Sequence, residues 1–163
     1  MSAIARAMTR ILSADKANIL EAAELLRDGG LVAFPTETVY GLGADAMNER
    51  AVEKIFEAKR RPADNPLIVH VGTREDVSRV ADDLSDKAWR LIERFWPGPL
   101  TLVLKRRAEV APAVSAGLPT VAVRMPNNAV AIELIRKAGT PVAAPSANAS
   151  GRPSPTEASH VEQ

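Results

Sequence analysis

Helical and strand periods alternate along this chain, and short polar strings rich in Gly and Pro fall where the apolar runs end. Ile19, Ala22, Ala23 and Leu26 recur at the spacing of one helix face, and Gly29-Gly30 supplies a stop. Leu31 to Phe34 is a short continuous apolar run that reads as a buried strand. Asn48 suits the cap of a second helix carrying Val52, Ile55 and Phe56 and running out near Lys59. Leu67 to Val71 reads as the next strand, followed by Thr73 and Asp76, whose spacing fits a capping box for a helix over Arg74 to Ala81. Ser85 opens a helix through Ala88, Leu91, Ile92 and Phe95 that Pro97-Gly98-Pro99 breaks. Thr101 to Leu104 and Val121 to Arg124 read as strands, with Lys105 to Pro119 between them as a long, mobile loop. Asn127 or Asn128 caps a helix through Ile132 and Ile135 that ends at Gly139, and Val142 to Ala144 is a last short strand. Thr156 to Glu162 begins like a capped helix with an acidic first turn. The pattern predicts one α/β domain, a twisted mixed sheet with helices packed on it, and leaves the strand order open.

Composition narrows the function classes. A chain of 163 residues with 46% hydrophobic and 25% charged residues fits one soluble globular domain. Lys plus Arg number 21 against 20 Asp plus Glu, so no global positive field draws the chain to nucleic acid or membrane, and any phosphate recognition must be local. The absence of Cys excludes thiolate nucleophiles and Cys-ligated metals. His70 and His160 are too few for a His-rich metal site, and the sequence assigns no metal ligands. Met1 to Leu12 is basic but lacks the apolar core of a signal peptide, and no stretch approaches the ~20 apolar residues of a membrane span, so a cytoplasmic protein is expected. In that setting the glycosylation pattern Asn148-Ala149-Ser150 reads as accidental.

The three polar strings carry the candidate chemistry: Pro35 to Leu42, Lys59 to Pro66, and Pro145 to Pro155. Lys59 and Arg61 stand two apart beyond a helix end, where Pro62 turns the chain away and lets both cations face one cleft. A planar guanidinium and a compact ammonium divide the work of holding a triphosphate, although a solvated basic helix end explains the same residues. Ser146 and Asn148, with Ser150, Ser154 and backbone N–H groups, could form a phosphate cradle, or could satisfy turn backbone. Thr36, Glu37, Thr38 and Tyr40 cluster after a strand. Thr38 suits a small polar substrate; for Glu37, pairing with a cation is favoured over magnesium ligation. His70 sits among apolar neighbours, either as a satisfied structural residue or as a donor to a carboxylate. Arg124 ends an apolar strand, placed to clamp an amino-acid carboxylate or to form a surface ion pair. Phe95-Trp96 reads as core rather than a stacking platform, and Lys105-Arg106-Arg107 as a solvated basic run with RNA contact as the lesser reading.

The ordered set Pro35-Thr-Glu-Thr-Val-Tyr-Gly-Leu42, Lys59-Arg-Arg61 with Asn65-Pro66-Leu67, Phe95-Trp-Pro-Gly-Pro-Leu-Thr101, Val121-Ala-Val-Arg-Met-Pro126 and Ala144-Pro-Ser-Ala-Asn148 resembles the YrdC-like threonylcarbamoyl-AMP synthases, from about Leu12 to the end. The resemblance implies a YrdC-like open α/β fold with a concave active cleft. It also implies a nucleotidyltransferase that makes L-threonylcarbamoyladenylate and pyrophosphate from L-threonine, bicarbonate and ATP. That product would feed a downstream transferase that forms threonylcarbamoyladenosine in tRNA. By the same resemblance Lys59, Arg61, Asn65, Thr120, Ser146, Asn148 and Ser154 would contact ATP, while Thr38, His70, Arg124 and the Ala144 backbone would hold threonine. Asn65 and Thr120 rest on the resemblance alone. The family domain extends past residue 163 with more sheet and a Ser-Thr-Val-like segment, so a domain spanning 12–163 is expected to be truncated at its C-terminal end.

The implied mechanism follows from charge. Threonine's amine captures carbon dioxide as a carbamate, already anionic, whose oxygen attacks the α-phosphorus without a general base. Lys59, Arg61 and Mg2+ accompanying ATP would neutralise the two anions, and alignment alone contributes on the order of 7 to 11 kcal/mol. Two other classes stand beside this one. An RNA-binding module of the same fold, or at least a weak tRNA contact, would use the basic runs and show steep salt dependence. A carbamoyl-transfer domain related to hydrogenase maturation factors would accept carbamoyl phosphate in place of threonine and bicarbonate.

Overall fold

A computed structural model describes residues 9–161 of the chain; Met1 to Met8 of the basic leader, and Glu162 of the last predicted helix, lie outside the described residues. Seven strands form one sheet in the order β1-β2-β7-β3-β6-β5-β4. These are β1 (Val32–Phe34), β2 (Gly41–Asp45), β3 (Ile68–His70), β4 (Ala81–Asp82), β5 (Leu102–Arg106), β6 (Thr120–Arg124) and β7 (Val142–Ala144). β3 and β6 run parallel and every other pair antiparallel, which makes the sheet mixed. The helices are α1 (Lys16–Arg27), α2 (Glu49–Lys59), α3 (Asp86–Phe95), α4 (Ala129–Ala138) and the single turn α5 (Ala158–Val161).

The caps read from the sequence are made. Asn48, Ser85 and Asn128 each accept a hydrogen bond from the backbone N–H three residues on, at 3.2, 3.2 and 3.1 Å. Gly29 and Gly139 lie past the ends of α1 and α4 with φ of 81° and 69°, a region that glycine enters without steric cost. Four expectations change. Leu31 to Phe34 yields an edge strand, of which only Phe34 is buried. Thr73 does accept from Asp76 N at 3.2 Å, but the turn it starts is a 3-10 helix over Glu75–Arg79, and Ala81 passes into β4. The expected mobile loop after Lys105 is packed instead: Val110, Ala111, Val114 and Ser115 are buried, and Pro112–Ser115 forms a second 3-10 turn. Strand β2, hidden in sequence by its two glycines, was not anticipated.

The sheet separates two hydrophobic clusters. On one face Val69, Val121, Val123 and Ala143 pack with Val52 and Ile55 of α2 and Ile92 and Trp96 from α3 and its end. On the other, α1 and α4 bring Ile19, Leu26, Leu134 and Ile135 against Phe34, Val142 and Ala144. Each buried Val, Leu, Ile or Phe side chain among these contributes about 1.5–3 kcal/mol. The second cluster stops at β7. Past it the cover thins toward the edge: His70 and Arg124 are buried, Ile68 and Ala122 half-buried, and Val103 of β5 is left 68% exposed. On that face the register places His70, Arg124, Thr120, Ala144 and Ser146 of the candidate residues.

Candidate functional site

Strand register arranges the open face in three rows, because paired residues on neighbouring strands share a face. Arg124, His70 and Val142 form the first row. Val103, Ala122, Ile68 and Ala144 form the second. Lys105 and Thr120 begin the third, and Ser146, bridged to Gly41, continues it beyond the end of β7. Two residues of strand separate adjacent rows, roughly 7 Å, so the first and third stand roughly 13 Å apart. Between them lies an apolar floor.

The first row is a buried charge site. Arg124 donates from Nη2 to Glu37 Oε1, and the same nitrogen lies 3.5 Å from Thr38 Oγ1. Glu37 Oε2 accepts from Asn127 N at 2.9 Å, tying the loop after β1 to the turn after β6. The two side chains are only 10% and 20% exposed, so the pair is held away from most solvent screening. Glu37 thus pairs with a cation, as its sequence setting favoured. Burial, and then the neighbouring Arg124 charge, push the His70 pKa down to about 4, so the imidazole is neutral at pH 7. Its Nδ1 sits 3.2 Å from Ile68 O. A neutral imidazole carries one N–H and one acceptor nitrogen, and the backbone oxygens of Ile68 and Val142 both lie against the ring. Phe34 meets the ring edge-on at 5.7 Å.

The third row is built by the end of α2. Lys59 is 3% exposed, and its ammonium donates to Ser146 O at 2.6 Å and to Asn148 O. Two of its three N–H bonds are thereby engaged and one remains. Burial, followed by the Arg61 charge, lowers its pKa from the usual lysine value. Arg61 turns to the start of β3, donating to Asn65 O at 3.2 Å and Pro66 O at 2.9 Å, and burial lowers its pKa too. Between the two cations Arg60 caps α2 with a left-handed φ of 51°, Lys59 reaching the carbonyls of Ser146 and Asn148 and Arg61 those of Asn65 and Pro66. Tyr40 staples the polar segment to β2: its N–H donates to Pro155 O at 2.9 Å and its carbonyl accepts from Ala147 N at 2.8 Å.

The expected phosphate nest is partly closed, since Ser150 N donates to Lys59 O and Arg152 N to Ala149 O. Asn65, Thr120 and Ser154 are exposed at the margin. Two surface hollows, of about 730 and 590 Å3, lie elsewhere, beside α4 at Pro97, Met125 and Arg136 and beside α2 at Glu53, Phe56 and Pro112. Among the described residues, the buried side-chain polar atoms without a hydrogen-bond partner are Arg124 Nε and Asn148 Oδ1. Both belong to predicted site residues, and a buried polar atom left unmatched costs about 1–3 kcal/mol.

The model of the Sua5/YciO/YrdC family, described as "Telomere recombination", matches residues 24–163. The chain belongs to this family. It is 56% identical over 142 residues to the threonylcarbamoyl-AMP synthase of Pyrococcus abyssi, covering 87% of this chain and 42% of that protein. Against the Bacillus subtilis threonylcarbamoyl-AMP synthase the identity is 54% over 155 residues, covering 94% and 45%. The crystal structure of P. abyssi Sua5 complexed with L-threonine superposes with a TM-score of 0.88 at 54% identity, over 94% of this chain and 44% of that one. The chain therefore spans less than half the length of these relatives.

Within this Sua5/YciO/YrdC fold the basic run at the end of β5 is engaged internally. Lys105 pairs with Asp83 at 2.6 Å, and Arg107 with Glu109 at 3.1 Å and Asp82 at 3.3 Å. Arg106 donates to the carbonyls of Leu118 and Val110. Trp96 is core, 1% exposed and bonded through Nε1 to Leu100 O, whereas Phe95 is half exposed. Sequence reasoning gave no site role to Thr36, whose hydroxyl meets Val39 O, Thr38 N and Thr38 Oγ1, or to Phe34, which walls His70. A Thr two positions before a candidate ligand, in a Pro-led turn, was the available signal.

The depressed His70 pKa has a consequence for stability. A folded-state value of about 4 against the ordinary 6.5 leaves stability intact above pH 6.5. Below that the unfolded chain takes up a proton that the folded chain refuses, so stability falls as pH drops toward 4, by about 3 kcal/mol in all. Urea unfolding of the wild type and of His70→Gln between pH 7 and 4.5 checks this: the variant lacks that part of the decline.

Proposed function

We propose that this chain is the catalytic domain of an L-threonylcarbamoyladenylate synthase, acting on L-threonine, bicarbonate and ATP in the cytoplasm to supply tRNA threonylcarbamoyladenosine formation. The observation that carries the reading is the shared open face. A carboxylate-binding Arg124 stands in one row, the Lys59-bound Ser146–Asn148 segment stands two rows away, and an apolar floor lies between. The relatives named threonylcarbamoyl-AMP synthase support it.

In this reading Arg124 takes the amino acid's carboxylate, Thr38 and His70 its polar groups, and the backbone at Ala144 lines the same subsite. The amine nitrogen bonds the carbon of carbon dioxide drawn from bicarbonate, giving a carbamate and water overall. One carbamate oxygen then bonds the α-phosphorus, and the bond to the bridging oxygen breaks to release pyrophosphate. Arg61 and the remaining N–H of Lys59 face the phosphates, with Asn65, Thr120, Ser146, Asn148 and Ser154 around the nucleotide. Cations aimed at oxygens where charge develops act most strongly in a site that excludes water. Mg2+ enters as the ATP complex. Among the described residues no group of three or more His, Cys, Asp or Glu side chains is arranged for a metal, and Glu37 is engaged by Arg124 and Asn127, so phosphate oxygens are the fitting ligands. The product would pass to a tRNA threonylcarbamoyl transferase. A weak direct tRNA contact through Lys105 to Arg107 would have to disturb ion pairs already formed.

Arg61→Ala separates the two substrates. Its loss is expected to lower threonine- and bicarbonate-dependent pyrophosphate release by at least ~100-fold, while threonine affinity changes less than about threefold. Enzyme kinetics and calorimetric threonine titration check this, and equal losses in both would assign Arg61 to the fold.

A further inference from the structure

We propose that Thr36 is a positioning residue that fixes the Thr38 hydroxyl as a hydrogen-bond acceptor facing the amino-acid substrate; the inference rests on the function proposed above and deepens it. Thr36 Oγ1 lies 2.7 Å from Val39 O, and a carbonyl only accepts, so the single Thr36 hydroxyl proton belongs to that bond. Thr36 Oγ1 also accepts from Thr38 N at 3.2 Å. It lies 3.0 Å from Thr38 Oγ1, and with its own proton committed it can only accept there as well. Thr38 must therefore donate to Thr36, and its remaining capacity is two lone pairs.

One lone pair lies toward Arg124 Nη2 at 3.5 Å, consistent with a guanidinium that can only donate. The other is available to a ligand that supplies a donor. An α-amino acid held by its carboxylate at Arg124 offers two, its amine and, in threonine, its hydroxyl. Without Thr36 the Thr38 hydroxyl is free to rotate and to point its proton at that donor, which opposes binding. Thr36 thus acts through Thr38 and touches no substrate itself.

A double-mutant cycle tests this on the full chain. Thr36→Val keeps the shape and removes the hydroxyl; Thr36→Ser keeps the hydroxyl. Thr36→Val is expected to raise the Kd and KM for L-threonine roughly tenfold, the size of one hydrogen bond, with the KM for ATP unchanged and Thr36→Ser near wild type. In a Thr38→Val background, Thr36→Val should add less than about twofold, because the two residues act as one unit. L-2-aminobutyrate, which lacks the hydroxyl, identifies the donor. A tenfold effect confined to threonine assigns the hydroxyl, and an equal effect on both amino acids assigns the amine. Unchanged threonine affinity in Thr36→Val, full additivity in the cycle, or an equal defect in Thr36→Ser overturns the inference. Should Thr36→Val fold poorly, Thr36→Ala removes the same oxygen and carries the same test: it is expected to raise the Kd for L-threonine roughly tenfold, and unchanged affinity overturns the inference. A wild-type chain that binds no threonine overturns the parent reading, and this inference with it.

Discussion

Arg124→Ala is expected to abolish measurable threonine binding, a loss of at least ~100-fold, and to lower stability by about 2–4 kcal/mol. Two physical effects add. A charge-assisted contact to a carboxylate contributes about 1.5–3 kcal/mol per hydrogen bond, and a clamp supplies more than one. Removing the guanidinium also leaves Glu37 with only Asn127 N as partner, at a position where its side chain is 20% exposed. Partial access to water keeps the stability cost toward the lower part of the range for a broken buried pair. Arg124→Lys should recover much of the stability and little of the binding, because an ammonium cannot present the planar fork. Calorimetric titration with threonine and urea unfolding separate the two effects. Threonine affinity within about threefold of wild type in Arg124→Ala would remove this residue from the site.

Lys59→Met should lower ATP-dependent turnover by at least ~1000-fold, the largest effect expected of any single change at the nucleotide end. Lys59 is structural and chemical at once. Its ammonium gathers the carbonyls of Ser146 and Asn148, and its own carbonyl accepts from Ser150 N, so α2 and the polar segment are tied in both directions. Methionine fills nearly the same volume but leaves two acceptors unmatched at about 1–3 kcal/mol each and lets residues 146–150 drift from the face. The remaining N–H, the one free to meet phosphate, goes with it. Binding of an ATP analogue should weaken together with the rate, while threonine binding at Arg124, two rows away, should hold. Equal weakening of both substrates would mean that the segment supports the whole face rather than its nucleotide end.

Much of this arrangement was legible in the sequence because it depends on local rules. The caps at Asn48, Ser85 and Asn128 and the stops at Gly29 and Gly139 need only nearby backbone, and all appear where their residue types announced them. Glu37, Arg124, Lys59 and Arg61 stood out because charge beside a short apolar run must find a partner or a ligand. What stayed hidden depends on long-range pairing. Strand β2 carries Gly41 and Gly43, and a glycine-rich run has no strand signature; a Cβ on Gly43 would lie 2.7 Å from both Phe34 and Val142, so close packing across strands accounts for the missing side chain. Lys105 to Pro119 read as a loop because its order comes from Arg106 and Arg107 reaching the carbonyls of Leu118 and Ser78 and the Asp82 carboxylate, far along the chain. The row structure of the open face follows from register, which no single strand encodes.

The measurement that bears most directly on the central claim is product formation by the purified chain. Incubated with radiolabelled bicarbonate, L-threonine and Mg·ATP, it should release pyrophosphate and yield a labelled adenylate, and omission of any one substrate should abolish both. Pyrophosphate release that ignores threonine, or adenylate formed only when carbamoyl phosphate replaces threonine and bicarbonate, would contradict a face built to join an amino-acid carbamate to ATP.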